Sequence, residues 1–154
     1  MQDQTFSKLF LSNIRYILMR DLDRLMAEVQ AYENEADLWE LRGDISNSPG
    51  TLCVHVAGNL NHFIGARLGN TGYVRDRPLE FSERGVSRAE ILSRLEATRR
   101  MVDTVLSTLP PEKVTARYPE DKFPETPDTA FLLTHLTGHL TYHLGQVNYH
   151  RRMM

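Results

Sequence analysis

DTAFLLTHLTGHLTYHLGQVNYHR, residues 128–151, is the stretch whose spacing decides the fold. Phe131, Leu132, Leu136, Leu140, Leu144 and Val147 recur every three or four residues, the period of one helical face. Asp128 precedes them as an N-cap, its carboxylate placed to accept a backbone N–H of the first turn. The same stretch carries His135, His139 and His143 at four-residue steps, and His150 returns to their sector. At about 100° per residue each step of four drifts only about 40°, so these imidazoles share one side of the helix.

Three further segments have the same period. Phe6, Leu9, Phe10, Ile14, Ile17, Leu18, Leu22, Leu25, Met26 and Val29 place a first helix that reaches about Tyr32. After a break containing Gly43, Asn47, Ser48, Pro49 and Gly50, a second helix runs from about Thr51 to Leu68. Gly69-Asn70-Thr71-Gly72 stops it, glycine being the residue that accepts left-handed backbone. The third opens on Ser87-Arg88-Ala89-Glu90, a capping box in which the serine accepts the Glu90 N–H and the glutamate reaches back. Pro110-Pro111 ends it. Four amphipathic helices bury their stripes most simply against one another. The expected fold is therefore all-α, a four-helix bundle with long crossover loops, in a single domain over residues 1–154. The connections 69–86 and 111–127 are rich in Gly, Pro and charge, and at such lengths loops often carry function. A short strand fits the residue types around Val114-Thr115-Ala116-Arg117-Tyr118.

A chain of 154 residues buries enough surface to fold without a disulfide or a structural metal. Its net charge of -2 gives no pull toward nucleic acid or an anionic membrane. No apolar run approaches the roughly 18–20 residues of a membrane helix, and the N-terminus lacks a signal-peptide pattern. The lone Cys53 excludes an internal disulfide and suits a reducing cytoplasm. It lies about 200° round the helix from His55 and reads as a core thiol.

All six histidines fall in the second and fourth helices. On the second, Asn59 stands about 40° and His62 about 20° from His55, so the three share a stripe. A single helical histidine is usually a hydrogen-bonded core or surface residue. Several on two largely apolar helices are costly polar groups, and a divalent metal satisfies neutral imidazoles together. Spacing alone leaves more candidates than one site takes, and His135–His139 is as good a chelating pair as His139–His143.

His139-Leu140-Thr141-Tyr142-His143-Leu144-Gly145-Gln146 resembles the His-x-x-x-His-x-Gly-Gln signature on the last core helix of the DinB/YfiT-like metalloenzymes. His55, in Thr51-Leu52-Cys53-Val54-His55-Val56-Ala57-Gly58-Asn59-Leu60, stands where that family takes a third histidine. The resemblance spans most of the chain and implies a DinB-like bundle with His55, His139 and His143 as metal ligands. It also implies a low-molecular-weight thiol cosubstrate in a transferase, or metal-dependent hydrolysis. Three histidines suit Zn, Ni, Fe or Cu, and ligand type alone does not choose among them; Zn or Ni is expected first, with Fe or Mn as alternatives. Tyr142 and Leu144 stand where many members have a histidine or a basic residue.

By helical phase, Asn59, His62 and Gln146 are candidates to orient the ligands, while Gly145 reads as a place of close helix approach. Tyr73, Arg75 and Arg77, in the loop after the second helix, are candidates to hold an anionic substrate. The expected partner is a small molecule, and a homodimer is expected on the ground that bundles with exposed apolar faces often pair, with no feature fixing the interface. Two other readings compete: a non-catalytic metal-binding or sensing protein, and a metal-free scaffold. A ferritin-like di-iron site is set aside, because neither histidine-bearing helix has the Glu-x-x-His motifs it needs.

Overall fold

The computed structural model describes residues 2–120 and 127–154. Its frame is four long helices: α1 (Gln2–Gln30), α2 (Pro49–Leu60), α4 (Arg88–Thr108) and α5 (Thr129–Met153), with a short α3 (Arg77–Ser82) between α2 and α4. Both α1 and α2 pack between α4 and α5. On the α1–α5 seam Asp21 meets Thr141 and Glu28 meets Asn148. Contacts that advance together on both helices make the pair parallel, which requires a long crossover connection. Contacts from Arg15 to Asp103 and from Asp23 to Arg99 run in opposite directions, so α1 and α4 are antiparallel. No strand occurs among the described residues.

The buried face of α1 is Ser7, Leu11, Ile14, Leu18, Leu22, Leu25 and Val29, a spacing of three and four that meets its neighbours like a coiled-coil seam. Phe6 and Leu9 lie off that seam and are 64% and 59% exposed, so the apolar stripe of the sequence is wider than the face the bundle covers. Tyr32, just past the helix, is buried against α5 and hydrogen-bonds His150 Nδ1 at 2.9 Å. His150 Nε2 lies 3.1 Å from the Glu40 carbonyl, so both ring nitrogens are engaged in holding this loop.

Every residue of Pro49–Leu60 is buried, which makes α2 the central helix. It starts two residues earlier than the break of Asn47, Ser48, Pro49 and Gly50 suggests. Ser48 is the N-cap, accepting from Thr51 N at 3.2 Å, and Pro49 fits the first turn because its missing N–H would have no helical partner there. Gly50 belongs to the helix too, as a Cβ would stand 2.8 Å from the Trp39 ring. After Leu60 the helix widens into a π-helical segment, Asn61–Ala66, and closes with Arg67–Gly69. The Asn61 side chain takes the Ala57 carbonyl at 2.9 Å and Thr98 Oγ1 at 2.8 Å, competing with the regular ladder where it loosens. Asn70, with φ 50°, takes the left-handed turn expected of Gly69. Gly69 stays helical, and a Cβ on it would overlap Val105 of α4.

Other ends follow their caps. Asp128 Oδ1 accepts from Phe131 N at 2.7 Å, and Ser87 Oγ from Glu90 N at 3.2 Å. Glu90 does not complete the capping box: its carboxylate takes Arg94 Nε at 2.8 Å. The expected strand near Val114–Tyr118 is a single antiparallel bridge, Arg117 to Asp128. Beyond Asp128 the pairing stops because the chain turns helical at Thr129. Tyr118 is nevertheless buried, and its hydroxyl donates to the Phe63 carbonyl in the π segment at 2.7 Å.

Candidate metal centre

His55 sits in the buried middle of α2, and His139 and His143 stand one turn apart on the facing side of α5. His139 Nε2 lies 3.1 Å from His55 Nε2 and 3.1 Å from His143 Nε2. One ligand atom from each of the three lies within 4.8 Å of the others. The rings meet edge-on, with interplanar angles of 77° to 90°.

The protons on these rings can be assigned from their partners. His55 Nδ1 is 2.9 Å from Glu80 Oε2, and an ionised carboxylate only accepts, so the His55 proton is on Nδ1. His143 Nδ1 is 2.7 Å from Gln146 Oε1, which accepts when the ring carries its proton on Nδ1. With one proton each, carried on Nδ1, His55 and His143 both turn a lone pair toward His139 Nε2. His139 has at most one proton there and can answer only one of them. Burial lowers the His143 pKa below its ordinary value, with the Gln146 contact opposing and the nearby His55 reinforcing the shift, which favours the neutral ring. A cation resolves this convergence of lone pairs. With metal–nitrogen bonds of ~2.0–2.1 Å, ligands subtending 90–110° stand about 2.9–3.4 Å apart. The observed 3.1 Å separations fall inside that range.

Glu80 is the residue that the sequence does not reveal. It is buried on α3, where Asp76 caps the helix by accepting Leu79 N at 3.0 Å and Pro78 occupies the first turn. Arg75 grips the same carboxylate, Nε to Oε1 at 2.6 Å and Nη2 to Oε2 at 2.9 Å. Burial pushes the Glu80 carboxyl up, but the hydrogen bonds from His55 and Arg75 outweigh it and hold it below the usual carboxylate range. Gly58 makes room for this arrangement, since a Cβ there would overlap the Glu80 carboxylate. The Phe81 ring packs 4.8 Å from the His55 ring, centroid to centroid. The signal in the sequence was Asp76-Arg77-Pro78, a cap followed by a first-turn proline inside what reads as a loop.

The other candidates are distributed differently. Gln146 contacts His143, as described. Asn59 is buried, and its Oδ1 has no hydrogen-bond partner among the described residues. His62 lies two turns from His55, about 10 Å along the axis, and its Nε2 is 2.9 Å from Glu120 Oε2, a carboxylate also held by Arg67. The His135 ring stacks on His139 with centroids 6.3 Å apart, and the cluster that could hold a metal does not include it. Arg75 is committed to Glu80, Arg77 lies over the Phe81 ring at 5.1 Å, and Tyr73 opens on a separate depression beside Glu80 and Arg94. Gly145 makes no close helix approach: it is exposed, and a Cβ there would meet nothing within 4 Å. Cys53 is a core thiol, its pKa pushed up to about 12 by burial.

Fold and site together define an α-helical bundle with three histidines converging between its second and last long helices. Residues 18–147 match the DinB superfamily, and the chain belongs to that superfamily. No curated protein and no solved structure matches it.

Proposed function

We propose that His55, His139 and His143 bind one divalent transition metal through their Nε2 atoms, and that the chain is a metal-dependent enzyme acting on a small molecule. The observation that carries this is the 3.1 Å approach of His139 Nε2 to the Nε2 atoms of both His55 and His143. Imidazole nitrogens suit Zn, Ni, Fe and Cu, whereas Mn prefers oxygen ligands. Among the described residues no further His, Cys, Asp or Glu joins the group. Structural zinc sites close all four positions with protein ligands, so a three-ligand set is the arrangement of a catalytic site.

The ion supplies Lewis acidity at a fixed point. The chain does the rest. Glu80 and Arg75 hold the His55 ring in one tautomer, and Gln146 does the same for His143. The finer reading, by analogy with the thiol-using relatives that the signature suggests, is transfer involving a low-molecular-weight thiol and a small electrophile.

Two measurements test this in sequence. Calorimetric titration of zinc into chelator-treated protein is expected to show one site per chain in wild type and none in His139→Ala. Turnover is then screened with Zn, Ni, Mn and Fe forms against thiols paired with small electrophiles. A metal-bound protein without any thiol-dependent rate would remove the transferase and leave the metal site standing.

A further inference from the structure

A cleft of about 900 Å³ opens between the 44–47 loop and the outer face of α5, and its wall includes His143 and Gln146. That volume lies within the range of small-molecule sites. Four exposed large apolar side chains converge on it: Ile45, Tyr142 at 65% exposure, Tyr149 at 67%, and Met153. Buried Leu52 forms its floor, and the Tyr142 ring lies 5.5 Å from the His143 ring. Among the described residues lining it there is neither lysine nor arginine, and Asp44 is the one carboxylate. Gly145 also lines the cleft, and the absence of a side chain there leaves the wall open between Tyr142 and Tyr149.

We infer that this cleft is the substrate site of the proposed metal centre and takes a small molecule with an aromatic or apolar body and no negative charge. It rests on the metal reading for its chemistry but not for its binding. Two tyrosine faces offer stacking area and attract cations. A carboxylate entering this wall loses water and meets neither lysine nor arginine in return. The arginines expected to receive an anionic group are elsewhere, Arg75 on Glu80 and Arg77 on Phe81.

The test uses three probes that share a ring and differ in charge: benzyl alcohol, benzylamine and benzoate. Each is titrated into the full-length, chelator-treated chain while the methyl resonances of Ile45 and Met153 are followed by NMR. Chelator treatment keeps carboxylate ligation of a metal out of the comparison, and metal content is measured separately, so loss of the metal reading and loss of this one are distinguishable. The expected result is saturable shifts with the alcohol and the amine, and binding of benzoate at least about tenfold weaker. Tyr149→Ser, at an exposed position, is expected to abolish those shifts while leaving zinc binding unchanged. Benzoate binding as tightly as the others would overturn the inference. So would no shift with any probe, or shifts that follow protein concentration, which would place a second copy of the chain on this wall.

Discussion

Replacing Glu80 by glutamine asks one carboxylate how much of the metal centre it organises. The wild-type side chain accepts three N–H groups, from His55 Nδ1 at 2.9 Å and from Arg75 Nε and Nη2 at 2.6 and 2.9 Å. Glutamine has one accepting oxygen, and its NH2 only donates. If the oxygen stays on His55, the amide faces the Arg75 guanidinium; if it turns to Arg75, the His55 N–H faces another donor. An orphaned buried donor costs about 1–3 kcal/mol, and more when charged. Loss of a partner that orients a ligand typically lowers metal affinity ~10–100-fold, which is about 1.4–2.7 kcal/mol. The assay is competition for zinc against a chromophoric chelator at neutral pH, with circular dichroism to establish that the variant is folded. Thermal unfolding of the metal-free proteins separates the stability cost from the affinity cost. A folded Glu80→Gln protein with wild-type zinc affinity would refute the positioning role.

Three further outcomes follow from other parts of the molecule. Gly138→Ala, at an exposed position inside α5 where a Cβ meets nothing within 4 Å, is expected to stabilise by about 0.5–1 kcal/mol, raising Tm by ~1–4 °C in a thermal melt. Acid should loosen the α1–α5 seam. Burial pushes the Asp21 carboxyl up, but the bonds from Arg20 and Thr141 bring it below its ordinary value, and Arg151 and Asn148 do the same for Glu28. A depressed folded-state pKa gives stability that is present above the unfolded value, near pH 4, and lost as pH falls through the folded one. Urea midpoints should therefore drop below about pH 4, and less steeply in Asp21→Asn. Finally, the buried Cys53 should resist alkylation by iodoacetamide in native protein and react promptly in urea, as mass spectrometry would record.

The long helices are legible because their burial follows one period: Leu132, Leu136 and Leu140 are read as core and are core. Two ends follow from their caps, Asp128 and Ser87. Pro49 misleads because proline is a breaker inside a helix and a welcome residue in the first turn, and only Ser48 before it tells which. Phe6 and Leu9 mislead because periodicity reports apolar character, whereas burial depends on how far a neighbouring helix reaches. The histidine stripe is visible as a set, yet its sorting is tertiary. His62 has the right phase but lies two turns further on, in the π-helical segment, and Glu120 answers it. Glu80 is the hardest case, since it reaches His55 from a short helix 25 residues later and no periodicity relates the two.

The central claim is that His55, His139 and His143 share one ion, and elemental analysis of the chain purified from metal-replete cells tests it most directly. The account predicts about one divalent transition metal per chain, reduced to background when all three histidines are replaced by alanine in a variant that still folds. A wild-type chain with no metal would contradict it, as would a triple variant that retains a near-stoichiometric amount.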